Sequence, residues 1–113
     1  MLESVTSKAL ESALDGLSMR QKAIANNIAN INTPGYTAER VSFEDALAQS
    51  VAQGNGSVQA TMARSLEPTN ENGNNVNLDT ETLSNTTTVL QYQFATQAEN
   101  QVLTSVRAVL KDA

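Results

Sequence analysis

Apolar side chains in the first third of the chain repeat in alternating steps of four and three. Leu10, Leu14, Leu17, Ile24, Ile28 and Ile31 form one line, with Gln21 in its single gap. The mean step of 3.5 is that of a coiled-coil seam on a helix. Leu2, Val5, Ala9 and Ala13 form a thinner stripe beside it. The pattern predicts a helix from near Ser4 that ends by Asn32, with Gly16 a mild interruption costing about 1 kcal/mol against Ala. Thr33 precedes Pro34 and is pushed out of helical geometry, and Pro34-Gly35 forms a turn.

The last third carries a second helical pattern. Leu83, Thr87, Leu90, Phe94, Ala98, Val102, Val106 and Val109 step by about 3.7, nearer the 11-residue than the 7-residue repeat. Leu103 and Leu110 widen this stripe. Asp79 has the position of an N-cap, Leu78 and Leu83 have the spacing of a hydrophobic staple, and Glu81 puts an acid in the first turn. The run Asn85-Thr86-Thr87-Thr88 weakens this helix in isolation.

Residues 35–78 read differently. Ser42 caps a short helix at about 43–53, on which Phe43, Leu47 and Val51 share a face, and Gly54 ends it. Glycine- and asparagine-rich stretches follow at 54–57 and 69–75, the composition of turns and loops, with a short strand at Val58–Met62. The expected fold is mainly α. Long N- and C-terminal helices (1–34 and 79–113) pair as a coiled-coil-like hairpin, and the middle is flexible and loop-rich with one short helix. Two seams of different period cannot stay in register along their whole length. The helices therefore either finish their burial against neighbouring molecules or gather the middle helix into a three- or four-helix bundle.

Composition favours unfinished burial. Asn, Gln, Ser and Thr make 42 of the 113 residues, aromatic residues are 4%, and Ala leads the apolar set. Such a chain has few of the side chains that bury the most area. There is no Cys and no His, which removes disulfides, thiolate nucleophiles and Cys/His metal sites. No catalytic, cofactor-binding or metal-ligating set stands out. Acids such as Glu3, Glu11, Asp15, Glu39, Glu81 and Glu99 read mostly as solvated surface, and no pair has a distinctive catalytic spacing. The loop from Asn70 to Asp79 fails as a calcium loop, because position 1 falls on Pro68 and position 12 on Asp79. Seven scattered basic residues and a net charge of -5 give no nucleic-acid footprint. No apolar run is long enough to span a membrane, and the N-terminus lacks the pattern of a Sec signal peptide.

One segment is more specific. Asn26, Asn27, Asn30 and Asn32 alternate with apolar residues on a helix about to end, and Asn is an indifferent helix former. Asn30 and Asn32 suit a fraying end. Asn26 and Asn27 lie deeper, where a buried Asn fixes register between packed helices. The whole segment, NNIANINTPGY, resembles the N-terminal signature of the bacterial flagellar basal-body rod and hook proteins. GNNVNLDTE followed by LQYQ, with the short length, is similar to the proximal-rod members of that family. Thr37 and Gln91 stand where relatives tend to carry basic residues.

The resemblance implies a structural subunit, exported by the flagellar type III apparatus without a cleaved signal and assembled helically in the periplasm. Its implied partners are its own copies, other rod subunits, the adaptor between export gate and rod, and the export machinery. The expected assembly interface is Leu10, Leu14, Leu17, Ile24, Asn26, Asn27, Ile28, Asn30 and Ile31 on the first helix. On the second it is Leu83, Leu90, Tyr92, Phe94, Val102, Val106 and Val109. Phe94 reads by default as core and Tyr92 as a contact to a neighbour. Asn32, Thr33, Pro34, Gly35 and Tyr36 form the family's turn motif. Phe43 and Leu47 match the Phe-x-x-x-apolar form of an export-gate docking motif, a short pattern that an ordinary amphipathic turn also satisfies. The rival reading of the chain is a soluble cytoplasmic helical adaptor or chaperone-like module.

Overall fold

The structure, a computed structural model, describes residues 4–112. Five elements follow one another: α1 (Val5–Ala29), β1 (Glu39–Ser42), α2 (Glu44–Ala52), β2 (Thr61–Arg64) and α3 (Leu78–Asp112). The molecule is long and thin, 66 × 25 × 14 Å.

Helix α1 starts where Ser4 Oγ accepts the Ser7 N–H at 3.1 Å, a capping bond that satisfies one of the donors a helix start leaves free. Its last turn tightens: the Asn30 N–H is shared between the Asn26 and Asn27 carbonyls. Leu2 of the thinner stripe lies outside the described residues.

Helices α1 and α3 lie antiparallel, with Glu81 beside Asn27 at one end and Val106 beside Thr6 and Leu10 at the other. The face that α3 turns to α1 is made of small and polar side chains. Glu81, Thr88 and Ala95 are buried at seven-residue spacing, and Ser84, Ala98, Val102 and Val106 are half-buried beside them. A seven-residue spacing of small groups lets two helices stay close along a coiled-coil seam. The stripe expected from 3.7-residue steps is therefore not the buried face over its first half. Leu83 is 70% exposed, Leu90 61% and Phe94 75%, so the default reading of Phe94 as core is corrected.

The start of α3 is also corrected. Asn77, not Asp79, is the cap: its Oδ1 accepts the Thr80 N–H at 3.2 Å, and its carbonyl accepts the Glu81 N–H at 2.9 Å. This places the buried Val76 ahead of the cap and leaves Leu78 exposed, so the Leu78–Leu83 staple does not form.

The core lies where α1 meets the middle segment. Leu17, Ala23, Val41 and Phe43 are buried together, with Ala13, Leu47 and Ala60 packed against them. Gly16 is a packing position rather than an interruption. A Cβ there would sit 2.4 Å from the Phe43 ring, far inside van der Waals contact.

The middle is more ordered than its composition suggests. Ser42 does not cap α2; it ends β1, which pairs antiparallel with β2 in the register Glu39↔Arg64 to Ser42↔Thr61. The strand expected at Val58–Met62 begins instead at Thr61. Between α2 and β2 the chain returns to α1. Ser12 Oγ donates to the Gly56 carbonyl and accepts the Val58 N–H, both at 3.1 Å, while Ser50 Oγ bridges Gly56 and Ser57. A Cβ on Gly56 would meet the Val5 carbonyl at 2.6 Å, so this crossing needs glycine.

Candidate functional site

Two features dominate the surface between the long helices: a polar joint at the Asn-rich end of α1, and an apolar flank along α3.

The joint is built around Asn27, which is fully buried. Its Oδ1 accepts the Glu39 N–H at 2.7 Å and the Tyr36 hydroxyl at 3.1 Å. Its Nδ2 donates to the Glu39 carbonyl at 3.0 Å and to Glu81 Oε1 at 2.7 Å. Both donors and the acceptor oxygen are used, as a buried amide requires. One side chain thus ties α1 to the start of β1, to the turn and to α3. Of the two inner asparagines it is the buried one; Asn26 is exposed and reaches only Glu39 Oε2, at 3.5 Å.

Glu81 completes the joint. The sequence placed it among solvated acids, but its side chain is 0% exposed, and Arg40 Nη1 donates to Oε2 at 2.9 Å. Its place in the first turn of α3 favours the carboxylate there. Arg40 is half-buried and also lies 3.7 Å from Glu67. A buried carboxylate held by an arginine and an amide is costly to disturb, because removing one partner leaves the others unsatisfied.

Two more asparagines close the end of α1. Asn74 is fully buried; its Nδ2 donates to the carbonyls of Asn30 and Thr33, each at 2.8 Å, and its Oδ1 accepts the Val76 N–H. It thereby satisfies carbonyls that the helix end leaves without partners. Asn75 Oδ1 accepts the Ala38 N–H at 2.7 Å, and its Nδ2 donates to the carbonyls of Ser65 and Glu67. Gly35 takes φ +76° and its N–H donates to the Asn72 carbonyl at 2.8 Å. The Asn32–Tyr36 turn and the 73–81 segment, read separately in sequence, are two halves of this joint. Asn74, Asn75, Arg40 and Glu81 were missed. For Asn74, Asn75 and Glu81 the sequence signals are the density of Asn and the GNNVNLDTE segment; Arg40 carries none.

The flank presents a different surface. Leu83, Leu90 and Phe94 project from α3 on a side that α1 does not cover. An open groove of about 450 Å³ runs between this side and the middle segment, lined by Ala13, Leu17, Phe43, Leu47, Leu90 and Phe94. Phe43 is only 5% exposed, seated on Gly16 with the Arg20 guanidinium 4.9 Å from its ring centre. Arg20 also donates to both Glu44 carboxylate oxygens, at 2.6 and 2.7 Å, and to the Val41 carbonyl. Its hydrogen bonds hold the Glu44 carboxyl below the usual carboxylate range, against the opposing pull of partial burial.

The remaining predicted residues divide between the two features. Leu17 and Ile24 are buried within the chain, Leu10, Leu14 and Ile31 are half-buried, and Ile28 is exposed. Val102 and Val106 face Leu10, whereas Val109 and Tyr92 are exposed. Among the described residues no cluster of acids could hold a metal ion, and no helix is long and apolar enough to cross a membrane.

A polar joint that fixes two long helices, beside a large uncovered apolar face, defines a helical subunit of the kind that packs into a larger assembly. The chain belongs to the flagellar basal body rod protein family. The profile of the family described as "Flagella basal body rod protein" matches residues 8–37, which span most of α1 and the turn through Tyr36. The chain is 34% identical to the flagellar basal body rod protein FlgB of Bacillus subtilis (strain 168), over 96% of this chain and 95% of that one. It is 27% identical to FlgB of Borreliella burgdorferi, over 87% of this chain and 90% of that one. A shorter match, 47% identical over 34% of this chain and 28% of the other, is to FlgB of Borrelia hermsii.

Proposed function

We propose that this protein is a structural subunit of the proximal rod of the bacterial flagellar basal body, part of the periplasmic shaft that transmits torque. The observation that carries the reading is the apolar flank of α3. Leu83, Leu90 and Phe94 are exposed on a helix whose inward face is small and polar. Exposed large side chains in a row are costly in water and mark an interaction surface. Copies of this chain and other rod subunits cover that surface. Torque then passes through packed helices, and the Asn27–Glu81–Arg40 joint keeps each helix pair from shearing.

The chain reaches the rod through the flagellar type III export apparatus, with Phe43 and Leu47 docking at the export gate. Because folding seats Phe43 on Gly16, that docking belongs to the chain before it folds. Contact with the adaptor between gate and rod follows on assembly.

Two variants test the reading. Phe94→Asp is expected to be exported but absent from isolated rods, with motility lost. Phe43→Ala is expected to lower the exported yield in a strain that makes no rod. Normal rods containing Phe94→Asp would overturn the assembly surface. An unchanged exported yield of Phe43→Ala would remove the docking role alone.

A further inference from the structure

The chain has 12 asparagines, and only Asn55 and Asn72 precede a glycine. Asn-Gly pairs are prone to deamidation, because glycine has no side chain to keep its backbone nitrogen away from the preceding carboxamide. In that reaction the deprotonated glycine nitrogen attacks Cγ of the asparagine. A C–N bond forms, and the carboxamide nitrogen leaves as ammonia. Water then opens the succinimide ring. Opening on one side gives aspartate. Opening on the other gives isoaspartate, whose main chain runs through Cβ and Cγ and is longer by one methylene.

The fold treats the two pairs differently. Gly56 is buried where the chain crosses α1. Its N–H is shared between Ser50 Oγ at 3.0 Å and the Ser50 carbonyl at 3.3 Å, and its carbonyl accepts from Ser12 Oγ. Freeing that nitrogen means lifting the whole crossing from α1. Gly73 is half-buried at the end of an exposed turn, residues 69–72. Among the described residues its N–H donates to the Asn70 carbonyl alone, at 2.9 Å, and Asn72 Oδ1 accepts the Asn74 N–H at 3.1 Å. Two hydrogen bonds at an exposed turn belong to the openings that cost least.

We propose that Asn72 is a deamidation site of the folded protein, with water as the co-reactant, and that its isoaspartyl product loosens the polar joint. Asn55 is spared by the burial of Gly56. The Asn72 carbonyl accepts the Gly35 N–H at 2.8 Å, and Gly35 Cα lies 3.2 Å from the place a Cβ on Gly73 would take. Asn74 follows directly and holds the Asn30 and Thr33 carbonyls. An extra methylene between residues 72 and 73 takes these contacts on α1 and the turn out of register. Plain aspartate keeps the backbone length and an acceptor for the Asn74 N–H, so it leaves the joint closed. An unfolded chain is open to reaction at both pairs. Folding thus sets the chemical lifetime of the subunit at Asn55 and leaves Asn72 exposed to it.

The test ages the full-length chain in mildly alkaline buffer, folded and in urea, and maps aspartate and isoaspartate by mass spectrometry of its peptides. In urea both sites are expected to convert at similar rates. Folding should slow Asn55 at least tenfold, an opening cost of about 1.4 kcal/mol, and Asn72 less than about threefold. Asn72 slowed as much as Asn55 would overturn the assignment, as would Asn55 converting in the folded chain at its urea rate. A second arm separates backbone length from charge. Chains with isoaspartate at residue 72, isolated from the aged pool, should melt below the parent, whereas Asn72→Asp melts with it. Isoaspartyl chains that melt with the parent would overturn the effect on the joint. So would Asn72→Asp melting as low as they do, since charge alone would then suffice. Asn72→Gln, whose longer side chain closes the ring slowly, should remove the fall in melting temperature on ageing. A fall that persists in Asn72→Gln would place the damage elsewhere and overturn the assignment.

Discussion

The Asn27 end of the molecule and the Phe94 flank lie on the same pair of helices and follow opposite rules. At the first, a buried amide and a buried carboxylate are bonded to each other, the carboxylate also to a half-buried guanidinium, with two more asparagines closing the helix end. At the second, the largest apolar side chains of α3 stand in solvent. In an ordinary domain the apolar groups supply burial and the polar ones face water. Here polar geometry specifies how the helix pair is joined, and apolar area is held in reserve for neighbours. Hydrogen bonds are directional and fix an angle, whereas apolar contact is not and tolerates repacking. A subunit that must hold one shape and then bind several neighbours uses each where it suits.

The comparison breaks most severely at Glu81. Glu81→Ala strands Arg40 and Asn27 and is expected to cost about 3–5 kcal/mol of subunit stability, read from the melt of the purified chain. Glu81→Gln keeps an acceptor for Asn27 and should lose clearly less. Equal loss in both would mean the charge on Glu81, rather than its shape, holds the joint. Gly16→Val comes next. It displaces the Phe43 ring and should cost about 1–3 kcal/mol, with the ring becoming accessible to a paramagnetic probe by NMR.

The Arg20–Glu44 pair has the smallest expected effect. The Glu44 carboxyl titrates below its ordinary value of 4.5 in the folded chain. Its contribution is therefore present above about pH 4.5 and is lost as the pH falls through the lowered value. Glu44 is half exposed, so the contribution is below about 1 kcal/mol and shrinks in salt. A pH titration of stability with Arg20→Ala beside the parent chain should show this acid-side loss only in the parent. Its persistence in Arg20→Ala would assign it to another group.

Much of the frame was legible in the sequence. The helical period of α1, the Ser4 start, the stop before Pro34 and the short middle helix carry signals strong enough to read directly, whereas of the 3.5-residue seam only Leu17 and Ile24 are buried and Ile28 is exposed. The inward face of the first half of α3 was not legible. Ser84, Thr88 and Ala95 bury little area, so the louder Leu and Phe positions defined the stripe instead. Glu81 was hidden for a similar reason: a carboxylate in a first turn reads as a dipole partner in water, and only tertiary structure brings Arg40 to it across 41 residues. The strand Glu39–Ser42, four mostly polar residues, offers too short a pattern to be distinguished from loop, and Thr61–Arg64 was legible only as a strand placed three residues early. Of the joint, Asn27 and the turn were visible. The partners that 73–81 supplies to them were not, because nothing local pairs two segments that meet only after folding.

The central claim is that the α3 flank serves assembly and contributes little to the subunit. The most direct measurement is the amount of Phe94→Asp incorporated into isolated basal bodies, relative to the parent chain expressed at the same level. The account predicts near-complete loss of incorporation while the purified variant melts within about 0.5 kcal/mol of the parent, the range of an ordinary surface change. Incorporation at the parent level would contradict it.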